Sequence, residues 1–395
     1  MNQFGDVEIV KEIMLDFAII TGLDPPLKHP QRYLWTDAFA VCNYLELYNQ
    51  TNDRRFLDLA LKLVDQVHHI LGCYYLDDTR KGWISGLNTE DGEKHPTIGG
   101  LRIGKELNER QPDEPFDERL EWDRDGQYYH YLTKWMHTLI RVSRITNDSD
   151  YARWALELVQ AAHNGFTYRT TGGIKRMYWK MSIDLSHPLV SSMGQHDPLD
   201  GYITYTEVYE AFKNLEQYAG LPDITPEIDD IVQICRGMSW VTEDPLGIGG
   251  LLSDSLIIAQ LKIKSSNSHE KNNYEKLLLN MLESSLVSLE YYARTDPQNY
   301  PASYRLAFRE MGLSMGIKGV KYLYNILNSN KSQFENYNHL KQIVKSLHEF
   351  TPLAESLENF WIKDENRKSN TWTEHREINI VMLATSLMPC GFLRL

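Results

Sequence analysis

The feature that most constrains the fold is a helix-start segment that occurs twice in the same register. Thr51-Asn52-Asp53 leads into one apolar stripe, and Thr146-Asn147-Asp148 leads into a second. The matching apolar positions are Phe56, Ala60, Leu61, Leu63 and Val64 in the first copy and Tyr151, Ala155, Leu156, Leu158 and Val159 in the second. Chance similarity between two helix starts is the alternative, but three turn positions and five stripe positions match at one offset. A recurring pair of helices indicates a helical array or a closed ring of hairpins.

Helical spacing of apolar residues continues along the chain, whereas strand patterns are scarce. We predict six helical hairpins, each made of two antiparallel helices joined by a turn. They span residues 36–71, 126–165, 198–240, 246–293, 302–350 and 353–389, and the third turns at Gly220–Asp223. No linker rich in Pro, Ser or Gly divides the 395 residues. The sequence therefore predicts an all-α fold, an (α/α)6 barrel or toroid of six hairpins, in a single domain over residues 1–395.

Two predicted connections are too long for simple turns. Residues 72–125 join the first two hairpins, and residues 166–197 join the second and third. The second connection contains Gly172–Met181, which has the pattern of a short strand or hairpin. Long ordered connections in a compact domain are usually lids or binding loops. Both lead into an inner helix, so we expect them to lie over one end of the barrel.

Charge and cysteine content exclude several classes of protein. Lys plus Arg number 41 and Asp plus Glu number 54, a net charge of −13, which argues against binding to nucleic acid. The four cysteines are scattered without a C-x-x-C pair, so neither a zinc finger nor a disulfide framework is indicated. The first 20 residues mix charged with apolar side chains, and no apolar run approaches the roughly 20 residues of a membrane span. We expect a cytoplasmic protein without a membrane span.

Motifs for metal, phosphate or dinucleotide chemistry are not found in the sequence. It has no H-E-x-x-H and no P-loop. Gly247-Ile248-Gly249-Gly250 opens a predicted helix, but it does not follow a strand as a dinucleotide fingerprint does. We therefore predict neither a cofactor nor a metal site.

Carboxylates, histidines, arginines and aromatic residues collect at the predicted starts of the inner helices. In such a barrel these starts surround the mouth of one central funnel. Sugar rings stack on aromatic faces, and paired carboxylates break glycosidic bonds. The predicted catalytic set is Asp125 with Asp197 or Asp200, Asp123 as a further candidate, and His196 tuning the pair. The predicted substrate-binding residues are Trp35, Asp37, Trp122, Tyr128, Tyr129, Tyr178, Trp179, Arg305, His375 and Arg376.

Some of these residues also fit purely structural roles. Asp197-Pro198 and Asp244-Pro245 have the pattern of helix starts, in which Asp caps the helix and Pro takes its first position. One of Asp123 and Asp125 fits a cap as well. His130, His196 and His375 each fit a structural histidine, although His196 and His375 have charged neighbours.

The hairpin count and two local segments resemble the six-hairpin glycosidase superfamily. The segments are Trp35–Ala38 leading to Leu45–Tyr48, and the turn and helix from Thr51 to Val64. The resemblance implies the (α/α)6 barrel and action on carbohydrates. Unsaturated glucuronyl hydrolases of this type place aspartates near inner-helix starts, which matches Asp123 or Asp125. The N-acylglucosamine 2-epimerase group shares the barrel and uses histidines, and its late W-x-x-x-H-x-x-R segment is loosely similar to Trp372, His375 and Arg376.

Three functional hypotheses follow from these residues. The first is a glycoside hydrolase acting on a small carbohydrate or glycoconjugate. The second is a sugar epimerase or isomerase with His196 and His375 as a two-base pair. The third is a barrel that binds a ligand without catalysis. Essential carboxylates favour the first hypothesis, and essential histidines favour the second.

Overall fold

The computed structural model describes residues 3–111, 114–213, 222–295 and 297–395, and it consists mainly of α-helices with a few short strands. The helices are α1 (Gln3–Ile20), α2 (Leu34–Thr51), α3 (Arg54–Leu71), α4 (Thr89–Lys94), α5 (Glu118–Asp123), α6 (Tyr129–Thr146), α7 (Ser149–Phe166), α8 (Asp197–Phe212), α9 (Thr225–Cys235), α10 (Pro245–Lys264), α11 (Ser268–Arg294), α12 (Ala307–Ser329), α13 (Tyr337–His348), α14 (Thr351–Ile362), α15 (Asn370–Thr373), α16 (Arg376–Leu387) and α17 (Cys390–Leu393). The strands are β1 (Gln127–Tyr128), β2 (Thr167–Arg169), β3 (Lys175–Met177), β4 (Lys180–Met181) and β5 (Pro188–Val190).

The chain forms two compact units. We call residues Thr21–Leu45 and Arg54–Gly237 the N-terminal unit. We call residues Met1–Ile20, Glu46–Asp53 and Met238–Leu395 the C-terminal unit. Helix α2 contributes its first part to one unit and its last turns to the other.

The repeated helix-start turn has the same conformation in both copies. Asn52 and Asn147 lie in the left-handed region, with φ of 55° and 61°, which Asn tolerates better than most residues. In each copy the threonine hydroxyl accepts the backbone N–H of the aspartate two residues on, at 3.2 Å. The same hydroxyl donates to a carbonyl four residues back, that of Leu47 in one copy and Val142 in the other. The sequence repeat is therefore a repeat of local structure.

Two of the predicted helix pairs are found in the N-terminal unit, together with the stripe of α3. The apolar stripe of α3 is buried along its length, with Phe56 and Leu63 almost inaccessible to solvent. Helices α6 and α7 pack against each other, as do α8 and α9. The predicted third turn, Gly220–Asp223, falls partly outside the described residues.

The two long connections carry short elements, which were predicted only for the second. The first contains α4 and α5, and the second contains β2, β3, β4 and β5. β2 and β3 form an antiparallel hairpin, which confirms the strand pattern in Gly172–Met181. β1 lies at the end of the first connection and pairs with β4 of the second, Gln127 opposite Met181. This pairing fixes the two connections side by side just before α6 begins.

The C-terminal unit is organised around α12. This helix packs most closely on α10 and also contacts α13, α14 and α16. The closeness depends on glycine: a Cβ at Gly249 would lie 2.1 Å from the carbonyl oxygen of Gly312, and one at Gly316 would lie 2.5 Å from that of Gly249. The Gly-Ile-Gly-Gly start of α10 is thus a helix-packing feature.

The sixth predicted hairpin, residues 353–389, does not form as a simple pair. Helix α14 packs mainly on α12, and α16 packs on α12 and on α1 far more than on α14. The prediction was wrong because it paired helices by sequence order, whereas the outer neighbour of α16 is the first helix of the chain. Arg376 at the start of α16 also forms an ion pair with Asp16 of α1 at 2.8 Å.

Among the described residues, Pro245–Lys264 is the one helix whose length and hydropathy would allow it to cross a membrane. Within the structure 72% of its apolar window is buried by protein. That burial is typical of a helix in a protein core.

Candidate functional site

An aromatic wall lies where the two long connections meet. Trp122 comes from the first connection and Trp179 from the second, and their ring centroids are 4.6 Å apart. Trp179 stacks on Tyr128 at 5.7 Å, and Tyr128 stacks on His130 at 5.4 Å. We call Trp122, Tyr128, His130 and Trp179 the aromatic wall. Three of the predicted substrate-binding aromatics, Trp122, Tyr128 and Trp179, are thus brought together.

Asp197 lies beside this wall as a buried carboxyl group. Its Oδ1 is 3.6 Å from Nδ1 of His130, and within the described part of the chain its Oδ2 has no hydrogen-bond partner. Burial raises its pKa to about 8. The negative charge of Asp200 adds to this rise, and the positive charge of Lys134 opposes it. Asp197 is therefore a neutral carboxylic acid at pH 7.

The capping explanation for Asp197 is wrong. The N-cap position of α8 is His196, and Asp197 is the first helical residue, followed by Pro198. Asp244 does cap its helix, because its side chain accepts the N–H of Gly247 at 2.9 Å. The two Asp-Pro pairs look alike in sequence, but the carboxylate of Asp244 binds the N-terminus of its own helix and that of Asp197 does not.

The backbone before α8 leaves room for the Asp197 carboxyl. A Cβ at Gly194 would lie 2.5 Å from Oδ2 of Asp197. Any other residue at position 194 would therefore displace the carboxyl group of Asp197.

Asp200 shares the first turn of α8 with Asp197, as their spacing predicts. Its oxygens accept the hydroxyl of Thr133 at 2.5 Å and Nζ of Lys134 at 2.6 Å, both from α6. Asp200 is therefore ion-paired with Lys134, and its negative charge contributes to the raised pKa of Asp197.

His130 links the wall to Asp197. Its Nδ1 accepts the indole N–H of Trp179 at 3.0 Å. Burial lowers its pKa to about 4, so the ring is neutral at pH 7. The side chain is 28% exposed, so part of the ring can be reached from solvent.

Asp125 anchors the first connection through hydrogen bonds and an ion pair. The Nη1 of Arg102 donates to its Oδ2 at 2.7 Å, and the N–H of Gly104 donates to its Oδ1 at 3.0 Å. The hydroxyl of Tyr75 also donates to Oδ2. Both oxygens are occupied in a fully buried environment, so the structure favours an anchoring role over the predicted catalytic one.

Asp123 is exposed at the end of α5, next to Trp122. Its charge opposes the fall in pKa that burial causes in Lys105 and Lys180. Lys180 is buried and donates to the carbonyl oxygens of Arg124, at 2.6 Å, and Glu121. These lysines hold the backbone on either side of Asp123 in place.

Four other predicted site residues of the N-terminal unit lie away from the wall surface. Trp35 is buried against Phe39, with ring centroids 4.5 Å apart. Asp37 is buried, accepts the N–H of Tyr33 at 3.0 Å, and has its pKa raised to about 6 by burial. Both are therefore core residues that support the start of α2, and their predicted contact with substrate stays a prediction.

Tyr129 and Tyr178 are the remaining two. Tyr129 is fully buried against Phe166, so it packs in the core, and its predicted contact with substrate stays a prediction. Tyr178 lies between β3 and β4 and stacks on Tyr168 at 4.2 Å, whereas its neighbour Trp179 belongs to the wall.

The predicted substrate-binding residues of the C-terminal unit are mostly engaged in ion pairs. Arg305 donates to both carboxylate oxygens of Glu310, at 2.8 and 2.7 Å, and is buried. This pairing gives Arg305 a structural partner inside the fold, and its predicted contact with substrate stays a prediction. Arg376 pairs with Asp16, as described above. His375 is exposed at the start of α16, with its ring centroid 6.0 Å from that of Phe308.

His196 stays a candidate on position alone. It precedes α8, is half-buried, and its carbonyl oxygen accepts the N–H of Asp200 at 3.0 Å. Sequence reasoning named it because of its acidic neighbours, whereas the histidine that contacts Asp197 is His130 on another helix. The sequence signal for His130 was its place in the aromatic run Tyr128–Tyr131.

No protein-family model and no curated protein sequence matches this chain. Several solved structures do match. A GH76 α-mannanase from Bacteroides thetaiotaomicron aligns with a TM-score of 0.50 at 10% identity, over 98% of this chain and 96% of that one. A D-mannose isomerase aligns at 0.49 and 12% identity over 98% of each chain, and cellobiose 2-epimerase from Spirochaeta thermophila at 0.46 and 11% over 91% and 86%.

At these identities the likeness concerns the fold. Together with the helix order, the mannanase alignment shows that the chain is an all-α protein of the (α/α)6-barrel class. The predicted fold class, and the resemblance to six-hairpin glycosidases at the level of fold, are confirmed.

Proposed function

We propose that this protein is a carbohydrate-active enzyme, a glycoside hydrolase whose proton donor is Asp197. The observation that carries the proposal is the neutral carboxyl of Asp197, with a pKa near 8 and an oxygen lacking a partner among the described residues, beside the aromatic wall. Glycosidic cleavage needs a carboxylic acid that is still protonated near neutral pH, because the leaving oxygen must gain a proton. Burial is the usual means of producing one.

The aromatic wall suits a sugar ring. Trp122 and Trp179 are only partly buried, so they can offer a stacking face for the C–H bonds of a pyranose. Asp197 would donate its proton to the glycosidic oxygen as the bond to the anomeric carbon breaks. Asp123, exposed beside Trp122, is our candidate for the carboxylate that activates water or attacks that carbon.

The mannanase of the same fold class supports this reading to the extent that it is a glycosidase in such a barrel. Four free cysteines are compatible with a reducing compartment, and with the net negative charge they support a cytoplasmic location. The proposed partner is a small carbohydrate or glycoconjugate.

The test is Asp197→Asn, assayed for hydrolysis against a panel of oligosaccharides. We expect kcat to fall on the order of 10²–10⁴-fold, because asparagine cannot donate the proton. In the wild type kcat/KM should decline as pH rises through about 8, where Asp197 loses its proton. The matched control is Asp58→Asn, an exposed aspartate of the same unit, which should behave like the wild type. Equal turnover in the two variants would refute the hydrolase assignment of Asp197.

A sugar epimerase or isomerase is the second candidate, and the distance between His130 and Asp197 favours it. At 3.6 Å the two groups are close enough to act on neighbouring atoms of one sugar. In this reaction a base takes the proton from the carbon beside the sugar carbonyl, a role open to Asp197 once it is ionised above a pH of about 8, while His130 donates to the carbonyl oxygen. Solvent deuterium appearing at a sugar carbon in D2O, without release of a reducing end, would establish this reaction and exclude hydrolysis.

A further inference from the structure

We propose that Trp179 fixes His130 as the Nε2–H tautomer, so that His130 acts as a neutral hydrogen-bond donor to a substrate oxygen. Its donation to substrate rests on the proposed function, whereas the tautomer is a property of the protein alone. Trp179 is then a positioning residue as well as part of the aromatic wall.

The geometry of one hydrogen bond carries the inference. The indole nitrogen of Trp179 lies 3.0 Å from Nδ1 of His130. An indole N–H can only donate, so Nδ1 must accept with its lone pair. A neutral imidazole carries one proton, which must then be on Nε2.

The groups around the ring keep it neutral. Tyr128 stacks on one face at 5.4 Å, and Tyr131 meets the ring edge-on at 4.8 Å. Asp197, the carboxyl nearest the ring, is itself neutral below a pH of about 8. Asp200 favours a charged imidazole, but Lys134 opposes it, and the pKa of His130 falls to about 4 mainly through burial.

This tautomer decides what His130 can do. Its Nδ1 lone pair is occupied and its Nε2 is protonated, so the ring has no free lone pair with which to act as a base. It can donate through Nε2 to an oxygen that gains negative charge during the reaction, and its own proton stays in place. The proton for the leaving oxygen comes from Asp197.

The experiment measures the ring directly, by 15N NMR of the full-length chain labelled at histidine. The chain has 13 histidines, so the His130 signals are assigned by their loss in His130→Gln. We expect a protonated Nε2 and an unprotonated Nδ1 from pH 6 to 8. A protonated Nδ1, or two averaged nitrogens, would overturn the proposal in the wild type alone, whether or not any variant folds.

Two tryptophan variants complete the test. Trp179→Phe keeps an aromatic ring but removes the N–H, so the two His130 tautomers should interconvert. Trp122→Phe changes the other indole of the same wall, and the Nε2–H tautomer should persist. Unchanged nitrogen shifts in Trp179→Phe would also overturn the proposal. If the tautomer is found but Asp197→Asn keeps full turnover, the proposed function fails while the role of Trp179 stands.

Discussion

At the residue scale, the most consequential group is a carboxyl that folding keeps protonated. Asp197 has a pKa of about 8 in the folded chain and an ordinary value of 3.8. Between these values the folded state binds one more proton than the unfolded state. Stability therefore falls as pH rises from about 4 to about 8, and levels off above that range.

From this we expect Asp197→Asn to be more stable than the wild type near neutral pH. Asparagine has a similar shape and carries no charge that burial would penalise. The difference in melting temperature should be small at pH 4.5 and should grow up to pH 8.5. Thermal unfolding of both proteins and of Asp58→Asn across this range checks it. A variant less stable than the wild type at pH 8.5 would contradict the burial argument.

The opposite result is expected for Asp125→Asn. Removing this carboxylate leaves Arg102 buried without its charged partner, which costs about 3–5 kcal/mol. Turnover of the protein that stays folded should change far less than in Asp197→Asn, because Asp125 holds a connection in place. Urea unfolding and kcat measured on the same preparation separate the two effects, and a catalytic Asp125 would show a large loss of kcat with normal stability.

These two aspartates show what the sequence could and could not predict about the site. The three-residue spacing of Asp197 and Asp200 on a helix start correctly placed both on one turn. The partners of Asp125 could not be predicted, because Arg102 and Tyr75 come from a connection with no periodic pattern. His130 was left out of the predicted site because its partner Trp179 is 49 residues away in the sequence. The two residues are brought together by the short β1–β4 strand pair.

At the element scale, periodicity identified the helices well, whereas their neighbours were harder to predict. The turn at Asn147 and the helices on either side of it follow the sequence repeat closely. The outer partner of α16 was missed because a pattern of apolar residues says which face is buried but not which helix covers it. The contact of α10 with α12 was likewise hidden, since glycines leave no apolar signal.

That contact gives a matched pair of substitutions one residue apart in α10. Gly249→Ala places a methyl group 2.1 Å from a backbone oxygen of α12, so the helices must separate, and we expect a loss of roughly 1–3 kcal/mol. Gly250→Ala meets no atom within 4 Å and should gain up to about 1 kcal/mol from better helix propensity. Equal effects in urea unfolding would contradict the proposed packing.

At the scale of the whole molecule, the segments of the two units alternate along the sequence. Helix α2 begins in the N-terminal unit and ends in the C-terminal unit, and α1 packs on α16 at the other end of the chain. Neither unit is a continuous piece that could be excised. The sequence prediction of one domain therefore leads to a test of cooperativity.

We expect a single unfolding transition, with coincident curves from far-ultraviolet circular dichroism and tryptophan fluorescence. Removing all residues after 350 should unfold the whole chain, because α12 and α1 lose the helices α14 and α16 that cover them. A soluble truncated protein with an unchanged melting temperature would contradict both expectations. Removal of residues 394–395 alone serves as the control.

The aromatic wall is carried by connections rather than by the helices behind them. Trp122 and Trp179 are only partly buried, whereas the same segments also contain core residues such as Leu101 and Ile103. Exchanging only the partly buried residues, in evolution or in a library, can therefore alter the proposed binding surface while the core of the scaffold is kept. The β1–β4 pair limits that freedom: an exchange that breaks it would uncouple the two halves of the binding surface.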